Sequence, residues 1–134
     1  MRLLVDTNIF LEIILEQEKF QDAKALLTMT TEHEFFISDY SLHSIGLLLF
    51  HRKEHNTFRE FLQDILITAG QKIVSLLIED METVILASQR FNLDFDDAYQ
   101  YAVAEKLNLT IISLDSDFDK TERKRKIPVE VLKG

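Results

Sequence analysis

The chain has 134 residues, no cysteine and a formal net charge of -8 at pH 7. The length predicts one domain over 1–134, and the lack of cysteine excludes disulfides, thiolate zinc sites and thiol nucleophiles. The negative charge excludes nucleic-acid binding by bulk electrostatics, so RNA or DNA would require a local basic patch, a bound metal or a basic partner. No secretory leader pattern and no bilayer-length apolar run is found, and we therefore expect a cytoplasmic protein without membrane contact.

Short apolar runs alternate along the chain with longer amphipathic segments. In chain order the runs are "RLLV", "EFFIS", "KIVSL", "LTIIS" and "PVEVL". Their length and residue types are typical of strands buried on both faces. Helix pairs are predicted over about 9–30, 40–69 and 79–108, the last broken near Asn92–Asp94. This alternation predicts an α/β fold, a three-layer α/β/α sandwich around a parallel sheet of about five strands.

Acidic residues follow three of the predicted strands. Asp6 directly follows the first strand and Asp39 the second, whereas Asp115 follows "TIIS" with one residue between. The carboxyl ends of parallel strands meet at one edge of a sheet, where the functional crevice of open α/β folds lies. Asp6 is equally suited to begin a helix as its cap, because its oxygens accept hydrogen bonds from free N–H groups. Both roles are compatible.

A second acidic group begins the segment "NLDFDDAYQYAVAEKL". Asp94 is placed as an N-cap, with Asp96 and Asp97 in the first helical turn, where the helix dipole alone favours acids. An apolar face runs along the same helix, formed by Phe95, Ala98, Tyr99, Ala102 and Val103. Asp97 lies at the edge of that face, and we expect it, rather than Asp96, to point into the crevice.

Alternating acids form a third group in "IISLDSDFDK", where Asp115, Asp117 and Asp119 follow Ser113. A solvated acidic turn is one interpretation. A calcium loop of the EF-hand type is disfavoured, because Lys120 and Lys126 occupy the positions of its glycine and glutamate. Carboxylates gathered at one edge repel, and a divalent cation removes that repulsion. Oxygen ligands without cysteine suit Mg²⁺ or Mn²⁺ better than zinc.

The segments "LLVDTNIF", "FISDYSLHSIG", "LDFDDAYQYAVAEKLN" and "TIISLDSDF" resemble, in this order, the PIN domain, and most closely the VapC-like toxins of bacterial toxin–antitoxin pairs. The resemblance implies an endoribonuclease that uses Mg²⁺ or Mn²⁺ to polarise a water for attack on an RNA phosphodiester. It implies catalytic and metal-binding roles for Asp6, Asp97 and Asp115, an additional acid at Asp117, and supporting polar residues at Asn8 and Ser113. It also implies a cognate antitoxin, whose tail commonly covers the acidic pocket.

One position departs from this family pattern. Family members usually carry a glutamate about six residues after the serine that ends the second strand, and here Ser38 is followed by Ser44 at that place. Asp39 and His43 are four residues apart on one helical face, and either is a candidate to compensate. The departure keeps a second interpretation open, a catalytically weakened module that binds RNA or protein.

Two basic segments and one apolar run offer contact surfaces. "KTERKRKIP" and "HRKEH" are either solvated charged loops or anchors for phosphates, and the first directly follows the third acidic group. The run Leu47–Phe50 surrounds its helix with apolar side chains, which predicts cover by a homodimer partner or by a neighbouring helix.

The sequence disfavours two other enzyme classes and a purely structural domain. Phosphatases of the haloacid-dehalogenase type place a second aspartate two residues after the first, where this chain has Asn8. Response-regulator receivers place an aspartate directly after a central strand, whereas Glu79 and Asp80 follow "KIVSL" at a distance. The three ordered acidic groups disfavour a domain in which every acid is only a cap or a surface charge.

Overall fold

The computed structural model describes all residues 1–134 and contains a four-stranded parallel sheet. The strands are β1 (Arg2–Val5), β2 (Glu34–Ser38), β3 (Lys72–Val74) and β4 (Thr110–Ile112), in the order β3-β2-β1-β4. Leu3 of β1 lies opposite Phe35 on one side and Thr110 on the other. The predicted parallel α/β architecture is therefore confirmed.

Seven α-helices connect and flank the strands. They are α1 (Thr7–Ile14), α2 (Phe20–Leu27), α3 (Asp39–His51), α4 (His55–Glu60), α5 (Met81–Phe91), α6 (Phe95–Leu107) and α7 (Pro128–Lys133). A π-helix covers Phe61–Ile67, and two 3-10 helices cover Ile78–Asp80 and Ser116–Lys120. None of the helices combines the length and the apolar character needed to cross a bilayer.

Two hydrophobic clusters cover the two faces of the sheet. Leu3 and Val5 belong to the cluster with α1, α2, α3 and the π-helix, whereas Leu4 belongs to the cluster with α5 and α6. Successive side chains of a strand point to opposite faces, so a strand with helices on both sides must be apolar throughout. This is why "LLV" has no polar residue, and it confirms the three-layer arrangement.

The sequence expectation of a strand at "PVEVL" was wrong, because this segment is α7. Pro128 occupies the first helical position, and a carboxylate oxygen of Glu130 accepts the backbone N–H of Ile127 at 3.0 Å. Both features favour a helix start over a strand. Only Lys126, just before α7, pairs with β4, through an isolated bridge to Ile112. The sheet therefore has four strands instead of about five.

The predicted apolar face of α6 is buried except at Phe95. Ala98 and Val103 are fully buried, whereas 61% of Phe95 is exposed. Phe95 is the first residue of α6 and extends beyond the core, with its ring against Tyr99 at 6.0 Å between centroids. The predicted break before α6 is present, since Asn92 ends α5 in the left-handed conformation with φ of 54°.

The N-terminal caps of three helices lie at the carboxyl edge of the sheet. Asp6 caps α1 directly after β1, and Ser38 caps α3 at the end of β2. Asp115 caps the 3-10 helix that follows β4. Side chains far apart in the sequence therefore meet at one edge of the sheet.

Candidate metal centre

A cavity of about 220 Å³ lies at the carboxyl edge of the sheet. Its lining consists of Asp6, Thr7, Asn8, Leu11, Tyr40, Ser44, Asp96, Asp97 and Asp115. Four of these residues are acidic and none is basic. Because no cation in the lining balances the carboxylates, the cavity strongly favours a positively charged ligand.

The carboxylate of Asp6 is buried, with 6% of the residue exposed, and accepts four hydrogen bonds. Oδ1 accepts the backbone N–H of Thr7 and the side-chain amide of Gln100, both at 2.9 Å. Oδ2 accepts the Ser113 hydroxyl at 2.7 Å and the Asn8 amide at 3.3 Å. Asp6 therefore both caps α1 and lines the cavity, with its oxygens fixed by donors from α1, α6 and the residue after β4.

Gln100 is the main site residue that the sequence interpretation missed. It is 1% exposed, and its Nε2 donates to Asp6 and to the Ser41 hydroxyl, each at 2.9 Å. Ser41 in turn accepts the Thr7 hydroxyl at 2.8 Å. The available signal was a polar residue on the buried face of "AYQYAVA", three positions after Asp97 and so on the same side of α6.

Asp97, Asp115 and Asp117 form a compact carboxylate group. One carboxylate oxygen of each lies within 4.8 Å of those of the other two. Asp115 is oriented by local hydrogen bonds, because its N–H donates to Ser113 Oγ at 2.9 Å and its Oδ1 accepts the Asp117 N–H at 2.9 Å. Three oxygen donors at this spacing, with Asp6 in the same cavity lining, fit a divalent cation.

Burial and like charge shift the pKa values of two acids. Burial, a hydrogen bond with Asp115 and the nearby carboxylates raise the pKa of Asp97 to about 8. Burial also raises the pKa of Asp6, although the hydrogen bonds from Gln100 and Ser113 oppose that rise. At neutral pH, Asp97 thus keeps its proton. A cation of higher charge can take the place of that proton.

The residues considered for the absent glutamate lie in different places. Ser44 lines the cavity. Asp96 lines it together with Asp97, whereas the sequence predicts that only Asp97 points into the crevice. His43 is exposed and does not line the cavity. Asp39 is also outside the lining, because its carboxylate accepts the Tyr99 hydroxyl at 2.7 Å and the Tyr40 N–H at 2.9 Å. Of these residues, Asp96 supplies the additional carboxylate of the cavity.

The basic segment after the third acidic group is mostly engaged in ion pairs. Arg123 bonds Glu105 at 2.6 Å, and Arg125 bonds both Asp119 and the backbone oxygen of Ser113 at 3.2 Å. These arginines hold the loop against the rest of the fold. Lys124 and Lys126 are exposed and form no ion pair.

A sequence model of the PIN domain matches residues 3–124. The chain belongs to the PIN domain family. The matched span contains all four cavity carboxylates and Asp117. No curated protein matches the sequence.

Several solved structures resemble this PIN domain. VapBC2 from Rickettsia felis, bound to a DNA fragment from its promoter, has a TM-score of 0.73 at 13% identity, covering 94% of this chain and 97% of its own. A toxin–antitoxin complex from Klebsiella pneumoniae has a TM-score of 0.71 at 18% identity over 94% and 97%. VapC20 from Mycobacterium tuberculosis, a sarcin–ricin loop cleaving toxin, has a TM-score of 0.69 at 19% identity over 87% and 92%. At these identities the likeness establishes the fold.

We expect the metal-free protein to lose stability as the pH rises from about 4 to about 8. The proton on Asp97 is bound more tightly in the folded state, so its stabilising contribution is complete below the unfolded pKa and is lost as the pH passes the folded value. Allowing for solvent screening, Asp97→Asn should be more stable than wild type at pH 8 by on the order of 1–2 kcal/mol. Thermal melts across this pH range measure the effect. Asp64→Asn, at an exposed acid of the π-helix, is the control, and equal pH slopes in all three proteins would contradict the assignment.

Replacing Gln100 with leucine removes one amide donor from the buried Asp6 carboxylate. A hydrogen bond to a charged group contributes about 1.5–3 kcal/mol, so Gln100→Leu should lower the free energy of unfolding by that amount. The loss should be smaller at acid pH, where Asp6 is protonated and needs fewer donors. Urea unfolding at two pH values measures this. A pH-independent loss would indicate a packing defect instead of a lost donor.

Proposed function

We propose that this PIN domain is a divalent-metal-dependent endoribonuclease and the toxin of a toxin–antitoxin pair. The observation that carries the proposal is the cavity in which Asp6, Asp97 and Asp115 converge with no basic side chain in its lining. Family membership supports nuclease activity, and the likeness to structures of toxin–antitoxin complexes supports the biological role.

The proposed cofactor is Mg²⁺ or Mn²⁺, held by Asp97, Asp115 and Asp117, with Asp6 also facing it. Oxygen-only donors are the set that these ions prefer. When bound, such an ion supplies positive charge that activates a water and stabilises the phosphate under attack. Neither arginine nor lysine lines the cavity, so phosphate binding there depends on this charge.

The protein's own residues orient the site. Asn8 and Ser113 donate to Asp6 Oδ2, and Gln100 donates to Oδ1, so the Asp6 side chain is held in a fixed orientation at the cavity. Asp97 must give up its proton before it can act as a ligand. Cation binding should therefore release a proton and strengthen as the pH rises. Exposed Lys124 and Lys126, near Asp115 in sequence, are available to contact flanking RNA phosphates.

Partner binding is part of the proposal. Leu47 and Phe50 on α3 are 60% and 54% exposed, so the apolar run there is not fully covered within the chain. A homodimer partner is the proposed cover, and an antitoxin is the proposed regulator of the acidic cavity. The similar structure from K. pneumoniae is a toxin–antitoxin complex, and the one from R. felis is VapBC2 bound to promoter DNA. A cytoplasmic location stays a prediction.

Ser44 favours a second candidate, a PIN module that binds RNA or protein without efficient cleavage. It lines the cavity at the place where the family resemblance leads us to expect a glutamate, and a hydroxyl carries no charge. Asp96 in the same lining argues against full loss of activity, because it returns one carboxylate to the cavity.

Incubation of mixed RNAs with the protein and Mn²⁺ or Mg²⁺ tests the nuclease proposal. We expect cleavage by wild type and a loss of about 100- to 1,000-fold in Asp6→Asn and in Asp97→Asn, because a few kcal/mol of transition-state stabilisation disappear with each carboxylate. Excess chelator should abolish both cleavage and RNA binding, and added salt should weaken binding. Equal residual cleavage in all three proteins would show contamination and favour the binding module.

Restoring a carboxylate at position 44 tests the compensation by Asp96. We expect Ser44→Glu to bind Mn²⁺ about 3- to 10-fold more tightly, since one more negative charge faces the cavity. Ser44→Gln has the same size without the charge and should bind like wild type. Isothermal titration calorimetry measures the affinities. Equal affinity in Ser44→Glu and Ser44→Gln would mean that position 44 does not act on the cation.

A further inference from the structure

Three aromatic rings, Tyr40, Tyr99 and Phe95, form a continuous group at the rim of the acidic cavity. We call them the rim aromatics. Tyr40 lines the cavity, and its ring centroid lies 6.1 Å from that of Tyr99. Phe95 contacts the same Tyr99 ring at 6.0 Å, although 61% of Phe95 is exposed. The exposed Phe95 is thus connected through the Tyr99 ring to Tyr40, which lines the cavity.

Tyr99 gives the group a fixed base. It is 8% exposed, its hydroxyl donates to Asp39 at 2.7 Å, and the same oxygen accepts the N–H of Leu76 at 3.0 Å. The Tyr99 side chain is therefore held by the neighbouring rings and by two hydrogen bonds at its hydroxyl. A flat ligand that packs on Phe95 would meet a support already in place, which lowers the entropy cost of binding.

The position of Phe95 in the chain connects it to the carboxylates. It directly precedes Asp96 and Asp97, both in the cavity lining, and neighbouring Cα atoms are about 3.8 Å apart. A nucleic-acid strand with a phosphate at the carboxylates would bring a flanking base to this ring. The cavity lining offers such a strand no basic side chain, so an uncharged contact beside it would add to the attraction of the bound cation.

We infer that the rim aromatics stack an unpaired nucleobase adjacent to the phosphate at the metal centre. This inference rests on the proposed function and assigns a residue of this chain to base binding: Phe95 is the stacking ring, and the base that it receives must be unpaired. A base in a duplex is already stacked on its neighbours and cannot pack on the Phe95 ring. Aromatic stacking accepts every base, so it adds affinity without demanding one sequence.

The chain contains no tryptophan, so a single tryptophan introduced at position 95 would report base stacking through its fluorescence. In Phe95→Trp with Mn²⁺ and the Asp6→Asn change to prevent cleavage, we expect short oligo(A) RNA to quench the fluorescence saturably. An abasic strand of equal length and charge should quench little, and so should an A–U duplex. The control is Ile67→Trp in the same background. Ile67 is 67% exposed and precedes β3, which places it toward the opposite edge of the sheet.

Binding affinity provides the second measurement. Phe95→Leu should weaken oligo(A) binding about 5- to 100-fold and leave binding of the abasic strand unchanged, whereas Phe95→Tyr should retain the wild-type affinity for both. Because Phe95 is mostly exposed, thermal melts should show all these variants folded.

The outcomes separate this inference from the proposed function. Wild-type binding and cleavage with unchanged affinity in Phe95→Leu would overturn the stacking inference alone. Equal quenching by the abasic strand would do the same, as would a change from dimer to monomer in Phe95→Leu by sedimentation, which would assign the ring to a protein interface. Failure of wild type to bind any RNA with Mn²⁺ would overturn both.

Discussion

The buried carboxylate of Asp6 is the constraint on which the arrangement of this site depends. A buried charge without partners costs several kcal/mol, so the fold must supply donors wherever Asp6 is placed. The donors come from α1, from Gln100 on α6 and from Ser113 after β4. Satisfying one side chain therefore fixes three segments against each other. Asp97 lies one turn before Gln100, and Asp115 lies two residues after Ser113, so the same contacts bring the other carboxylates to the cavity.

Repulsion between these carboxylates is retained in the folded protein. Asp97 holds a proton with a pKa of about 8, and no basic side chain lines the cavity to relieve the charge. The nearby arginines are instead used in ion pairs with Glu105 and Asp119. A cavity built in this way is less stable without a cation than with one, which is the usual relation between stability and a charged functional site. With Ser44 in place of the glutamate expected from the family resemblance, the cavity has one carboxylate fewer, and Asp96 adds one.

Much of the fold follows from local pattern. Apolar runs with no polar residue indicated strands covered on both faces, and the spacing of apolar residues indicated the helix pairs around them. The exceptions have local causes. In "PVEVL" the apolar content indicated a strand, but Pro128 and the Glu130 cap favour a helix. At Phe95 the helical spacing indicated burial, but spacing does not tell where the core ends along a helix, and the first residue of α6 lies outside it.

For the site, the sequence by itself determined which carboxylates follow the strands, because parallel strands send their carboxyl ends to one edge whatever the details of packing. Asp6 and Asp115 were predicted on that basis, and Asp97 from its place at the edge of the apolar face of α6. The family resemblance supported these three and added Asp117. Three features depend on the tertiary structure alone. Gln100 donates to Asp6, and Asp39 and His43 lie outside the cavity lining. The arginines form ion pairs with acidic residues. Those outcomes depend on distances between segments up to about a hundred residues apart, and such distances are set by the packing of α1, α3 and α6 on the sheet and not by any local pattern.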